Sequence, residues 1–269
     1  MSGLTLTLKS APDRRLDLSG LTPKTLATLS PADIARLPLQ CVAGAPTVGD
    51  LFALTGSTGE RLVIAGGSDR FDFVGATLSE GTIVVEGAVG AFSAASMTGG
   101  RLEIAGDTGP GLGSGMRGGI VHVEGSTAES TGGVRAGERY GMRGGIIVVE
   151  GDIGPRAGDR MRRGTIIARK SFGDHAGARM MGGTLWAGER FGDEPGIQMR
   201  RGTLISPRIG RMLPTFGDGG VHDLVILRIL SRDVAARLGP LAPHALPTKV
   251  RKFSGDLAIF GKGELLLTG

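Results

Sequence analysis

A phrase of about 19 residues recurs through the middle of this chain, and that period constrains the fold more than any other feature. Its copies are anchored by Leu78 and by Met97, Met116, Met142, Met161, Met180 and Met199. Every interval is 19 residues except Met116 to Met142, which is 26 and so carries a seven-residue insertion. The clearest copies are Met116-Arg117-Gly118-Gly119-Ile120-Val121 and Met142-Arg143-Gly144-Gly145-Ile146-Ile147. One such unit cannot bury an apolar face alone, so units repeating at a fixed period must stack on one another.

The aligned columns predict how they stack. The third position after each anchor is glycine in all seven copies, from Gly81 and Gly100 to Gly183 and Gly202. This column reads as one tight corner per unit, where positive φ or close backbone approach excludes a side chain. Next comes an aliphatic column, Ile83, Leu102, Val121, Ile147, Ile166, Leu185 and Leu204. Two residues further on are Val85, Ile104, Val123 and Val149, then the smaller Ala168, Ala187 and Ser206. Apolar residues at i and i+2 describe the inward face of a short strand. A second phrase, as in Gly151-Asp152-Ile153-Gly154-Pro155-Arg156-Ala157-Gly158, spaces its glycines every three or four residues, which suits corners and very short strands but not a helix. The expected fold is a mainly all-β, right-handed parallel β-helix of about seven to eight coils. Its narrow core accounts for 49 glycines and only 4% aromatic residues.

Flanking pieces are expected at both ends, dividing the chain into a cap over 1–50, the glycine-rich coils over 51–220, and a helix with closing strands over 221–269. In the cap, Leu4 to Lys9 alternates like a strand, and Thr22-Pro23 and Ser30-Pro31 read as helix starts with Pro at the first helical position. Val48 to Phe52 and Arg61 to Gly66 lead into the coils. After them, Asp223 to Leu238 is expected to be a helix with Leu227, Leu230, Val234 and Leu238 on one face, and Arg228, Ser231, Arg232 and Arg237 mostly on the other. The tail, Asp256 to Phe260 and Glu264 to Leu267, reads as a closing hairpin around Gly261-Lys262-Gly263.

Chemistry is sparse. His122, His175, His222 and His244 share no metal-ligand spacing, and Cys41 has no partner cysteine, so neither a metal site nor an internal disulfide is expected. Neither a nucleophile elbow nor a phosphate loop is present. Asp152, Asp174 and Asp193 follow glycines at turns, where Asp commonly caps its own backbone, so they read as turn residues and not as catalytic carboxylates. The N-terminus lacks a signal-peptide pattern and no window approaches a membrane span, which points to the cytoplasm and to no membrane partner. A net charge of +5 suggests an acidic partner surface; with few aromatics for stacking, nucleic acid is not an expected partner.

Two surface columns carry the functional expectation. The residue after the anchor is Arg117, Arg143, Arg162, then Met181, then Arg200, a basic ladder reinforced by Arg163 and Arg201. Such a ladder is either simply solvated or docks an acidic partner or polyanionic ligand. The outward strand column ends in Val148, Ile167, Trp186 and Ile205, an apolar stripe to be covered either by the C-terminal helix folding back or by another protein chain. Together, Arg117, Arg143, Arg162, Arg200 and the four stripe residues are the expected docking surfaces.

The Met-Arg-Gly-Gly-Ile-Ile-Val-Val-Glu-Gly phrase from Met142, the Gly-Asp-Ile-Gly and Ala-Gly-Asp-Arg-Met runs before Met161, and Leu213-Pro214-Thr215-Phe216 resemble the C subunit of formylmethanofuran dehydrogenase over nearly the whole chain. That family shares its β-helix with the C-terminal domain of the glutamate synthase large subunit. The Ala/Arg/Gly-rich composition is similar to the bacterial branch, the formyltransferase/hydrolase complex of methylotrophs. The resemblance implies a non-catalytic scaffold in a hetero-oligomer with A, B and D subunits (amidohydrolase-like, degenerate dehydrogenase-like and formyltransferase), admitting two copies per assembly. It implies a complex that moves a formyl group from formyl-tetrahydromethanopterin to methanofuran and releases formate. No cofactor is expected on this chain, although the arginines could hold a polyglutamylated cofactor tail. A tungsten or molybdenum dehydrogenase complex differs in its other subunits, so composition leaves it open. An independent β-helical enzyme acting on a polyanion is the rival from another class.

Overall fold

The computed structural model describes residues 3–40 and 45–269; Cys41 lies outside the described residues. Most of the regular secondary structure is strand, with few helices. The largest sheet has 13 strands, and all but those at its two ends pair in parallel. One column of residues runs the length of this ladder. Leu4 pairs with Leu62, then in order come Ile83, Leu102, Val121, Ile147, Ile166, Leu185, Leu204 and Leu265. All are at most 3% exposed and belong to one core. The inward columns are therefore those expected, and both ends join the ladder. The N-terminal strand Leu4–Leu8 pairs with Arg61–Ala65, and the tail strand Lys262–Leu267 pairs with Arg201–Ser206.

The methionines and the glycine corner form one device. Every Met anchor is fully buried, and the corner glycines all have positive φ, from 71° at Gly100 to 117° at Gly202. A Cβ on Gly164 would meet the Met142 methyl at 2.9 Å, and one on Gly183 the Met161 methyl at 2.8 Å. Each flexible Met side chain thus fills the space beneath the corner of the following repeat. Glycine is required there twice over, by its dihedral and by its neighbour.

A second, shorter ladder runs through the other phrase. Val89, Thr108, Thr127, Ile153 and Phe172 bridge in parallel, and Ser171–Phe172, Arg190–Phe191 and Arg208–Ile209 extend it as two-residue strands. The Phe172 and Phe191 rings lie 5.0 Å apart inside it. Between this ladder and the next Met the backbone is neither strand nor helix. Positive φ recurs at alternate residues, as in Arg156, Gly158 and Arg160, then His175, Gly177 and Arg179. The outer two donate to the repeat ahead and the middle one to the repeat behind: Arg156 N to Asp174 O at 2.8 Å, Arg160 N to Ala178 O at 3.0 Å, Gly158 N to Thr131 O at 2.8 Å. A Cβ at the middle position would press on the core, 3.1 Å from a Leu185 methyl at Gly158, and only a methyl is tolerated in an earlier repeat, where Ala94 holds the position at φ 56°. Those flanking it tolerate Arg and His. Their left-handed backbone costs about 1–2 kcal/mol each, offset by amides that would otherwise be orphaned.

The turn aspartates are structural, but their partners differ from expectation. Instead of capping its own turn, each carboxylate accepts an amide from the following repeat: Asp107 from Ser126 at 2.7 Å, Asp152 from Ser171 at 3.1 Å, Asp174 from Asp193 at 2.7 Å and Asp193 from Arg211 at 2.8 Å. They stitch neighbouring repeats together by charge-assisted bonds.

The flanking elements agree in outline. Pro23–Leu26 and Pro31–Ala35 are short helices, and Thr22 closes the capping box expected of such starts. The C-terminal helix is Val225–Leu238; Asp223 instead ends the strand Gly217–Asp223. Ser231 sits on the buried face, its hydroxyl donating to Leu227 O at 2.8 Å and accepting from Leu246 N at 3.0 Å. The closing hairpin pairs Lys249–Gly255 with Lys262–Leu267, while Asp256 to Phe260 form its turn and not a strand. The reason is Asp256, which is 4% exposed and whose carboxylate accepts amides from Gln198 and Ala258 at 3.0 and 2.9 Å, fixing the turn on the last repeat.

One expectation is corrected. Val148, Ile167, Trp186 and Ile205 are no free docking surface, since the chain's own helix covers them. They are at most 5% exposed and form a second core with Leu227, Val234, Leu238, Val250 and Leu266. Covering by the short C-terminal helix is sufficient because its apolar face matches the stripe.

Two outcomes follow. Gly164→Ala should lower the urea midpoint by the equivalent of about 2–4 kcal/mol, from left-handed strain and crowding together. Gly137→Ala, at φ 82° with nothing within 4 Å, should lose only the strain, about 1 kcal/mol. Equal losses would separate the Met contact from the glycine requirement. Ile167→Glu would place a carboxylate in the second core and should strip hydrogen-exchange protection from residues 225–238 while the ladder amides stay protected.

Candidate functional site

The arginine column becomes a continuous face because the backbone repeats in register. The amides of Arg117, Arg143, Arg162, Met181 and Arg200 each donate to the carbonyl of the Met one repeat back, at 2.7–2.8 Å. Rungs of a parallel ladder are about 4.8 Å apart, so the side chains project as a row. The structure divides this row. Arg162 and Arg200 line a pair of adjoining cavities of about 330 and 300 Å³ that share Met181 and Arg200. Arg143 sits beside them, while exposed Arg117 lines neither.

Three further groups complete the face. The first is the seven-residue insertion, which lies between Gly133 and Gly141 and supplies Arg139 and Tyr140. Tyr140 is a hub: the guanidiniums of Arg139, Arg162 and Arg143 lie 5.1, 5.2 and 5.5 Å from its ring centroid. Stacking of this kind holds cations at fixed positions despite their mutual repulsion. The same insertion sends Arg135 back over the stacked Phe73 and Phe92 rings, at 5.7 and 5.4 Å, which anchors it to earlier repeats. The second group, Arg160 and Arg179, precedes the Met anchors in two successive repeats. Arg179 holds the nearly buried Asp159, with Nε donating at 2.9 Å, and so is partly neutralised. The third group is the tail turn, which adds Ile259, Phe260 and Lys262; Arg200 lies 5.6 Å over the Phe260 ring.

Electrostatically the two cavity linings are one-signed, whereas Arg143 beside them pairs with Glu138 of the insertion at 3.8 Å. Arg139, Arg160, Arg162, Arg200, Arg201 and Lys262 line the two cavities without an ion-pair partner among the described residues, and no carboxylate lines either cavity. The Nε of Arg143 is buried and makes no hydrogen bond. Like charges 5 Å apart repel by about 1 kcal/mol even in water. The arrangement therefore favours an anionic occupant, and neither a carboxylate nor a histidine lines it. Elsewhere two of the four histidines meet an acid, His122 lying 3.2 Å from Glu150 and His175 3.7 Å from Glu194, while His222 lies 2.9 Å from Gly219 O. Among the described residues, no group of three or more His, Cys, Asp or Glu could hold a metal ion, and no helix is long and apolar enough to cross a membrane.

Sequence reasoning found the Arg rungs but missed Tyr140, Arg179 and Phe260. The pair Arg160 and Arg179 was visible as a column one residue before the anchor. The other two depend on where an insertion and a distant turn fold back.

No family model matches the chain. It is similar to the C subunit of the formyltransferase/hydrolase complex Fhc of Methylorubrum extorquens, with 49% identity over 263 residues, 98% of this chain and 98% of that protein. The fold is similar to a chain in the crystal structure of the formyltransferase/hydrolase complex FhcABCD from the same organism in complex with methylofuran. There the TM-score is 0.91 at 40% identity, covering 98% of this chain and 99% of that one. Likeness at this level runs end to end in both sequence and backbone, through the repeats and both flanking pieces, and with it the chain belongs to the family of C subunits of the formyltransferase/hydrolase complex.

Proposed function

We propose that this chain is a non-catalytic structural subunit of a formyltransferase/hydrolase complex, which converts formyl-tetrahydromethanopterin through formylmethanofuran to formate. Methanofuran and tetrahydromethanopterin are used by the complex and not held by a catalytic site on this chain. The chain forms a right-handed parallel β-helix of seven to eight coils, capped by residues 1–50 and closed by residues 221–269; right-handedness follows the general rule for parallel crossovers. Its place is in a cytoplasmic hetero-oligomer with A, B and D subunits. Arg117, Arg143, Arg162 and Arg200 mark the docking face, and the stiffness of the ladder sets the spacing between the partners.

The observation that carries this reading is the end-to-end match to a named component of such a complex. Two further points support it. The turn carboxylates are engaged in backbone stitching, and Glu150 and Glu194 each pair one histidine and one arginine on separate repeats, which does not make the convergent groove of a polyanion-cleaving enzyme. Both relatives are of the hydrolase kind, which favours that assembly over a tungsten or molybdenum dehydrogenase.

Affinity purification of the tagged chain from its native cell at mild ionic strength should recover a large complex containing a formyltransferase and an amidohydrolase-like subunit. Recovery of the chain alone, with turnover of its own, would sink the scaffold reading.

A further inference from the structure

The arginine face meets an apolar lip. Leu257, Ile259 and Phe260 are 58%, 41% and 62% exposed, and Ile259 and Phe260 line the two arginine cavities. This lip is held in place: Asp256 fixes the turn to the last repeat, and Gly261 N donates to Asp256 O at 2.9 Å. Exposed aromatic and aliphatic side chains on an anchored turn, beside uncompensated cations, are two recognition elements at one place.

From that juxtaposition we infer that the groove formed by Arg139, Tyr140, Arg162, Arg200, Phe260 and Lys262 binds an acidic polypeptide segment of a partner subunit. Its carboxylates lie along the guanidiniums, and one apolar side chain seats on Ile259 and Phe260. This deepens the docking reading above and rests on it. Three features select this occupant. The row from Arg143 to Arg200 spans three rungs, about 14 Å at 4.8 Å per rung, the length of four or five extended residues; a small anion would occupy one rung and ignore the lip. Each guanidinium fork donates two parallel N–H···O bonds to one carboxylate, so a row of forks rewards a chain presenting several acids. Nucleic acid would need several free aromatic faces for successive bases, whereas here three guanidiniums engage the Tyr140 ring and Arg200 lies over the one other ring, Phe260.

The test uses the full-length chain and labelled ten-residue peptides of Glu and Asp, one with a central Phe and one with Ala in its place, read by fluorescence anisotropy at about 0.15 M salt. The Phe peptide should bind roughly tenfold more tightly than the Ala peptide. Arg162→Ser with Arg200→Ser should weaken both by tenfold or more, and Phe260→Ser should abolish the difference between them. Arg228→Ser, on the exposed side of the C-terminal helix and lining neither cavity, should leave both unchanged. Circular dichroism confirms that each variant is folded. Absence of binding, equal affinity for the two peptides, or equally tight binding of inorganic polyphosphate would overturn the proposal. Co-expression with the partner subunits separates the two readings. A double-arginine variant recovered in a complex while no peptide binds the wild-type chain would leave the scaffold standing and remove this groove from the interface.

Discussion

The parallel register of one repeat on the next is the constraint on which everything else depends. Hydrogen bonds donated by backbone amides run from each repeat to its neighbours at the ladder, at the left-handed wall and at the Asp turns, so no repeat satisfies its backbone alone. The side chains then have no choice of layer. A Met must fill the space under the next glycine corner, and a Leu or Ile must meet its counterpart above and below. Because the geometry repeats, whatever stands at an outward position also repeats. The arginine row is a by-product of register before it is a binding feature.

Interruptions give the rod its distinct faces. The insertion after Gly133 is anchored at one end by Arg135 on Phe73 and Phe92, and presents Tyr140 to the arginines at the other. The tail re-enters the ladder as Lys262–Leu267 and so ends the stack with its own paired edge. Its turn and its Lys262 then stand beside the last Arg rungs. A stack built this way holds its outward side chains in a nearly fixed arrangement, since moving one repeat would break bonds to two others.

The sequence alone determined the period, the glycine corner, the inward columns and the Arg rungs, because each rests on local chemistry repeated at one spacing. It also marked the cap helices, whose Pro and Thr signals act within four residues. What covers the Val148 to Ile205 stripe was undecided at that level, since a helix and a partner chain offer the same apolar complement. Only the folded chain, with Leu227, Val234 and Leu238 laid on Trp186 and its neighbours, decided it. The partner of each turn Asp, the turn at Asp256, and the meeting of Tyr140, Arg179 and Phe260 were likewise tertiary outcomes. These contacts join residues separated by 18 positions or more, and no local preference fixes where such residues come together.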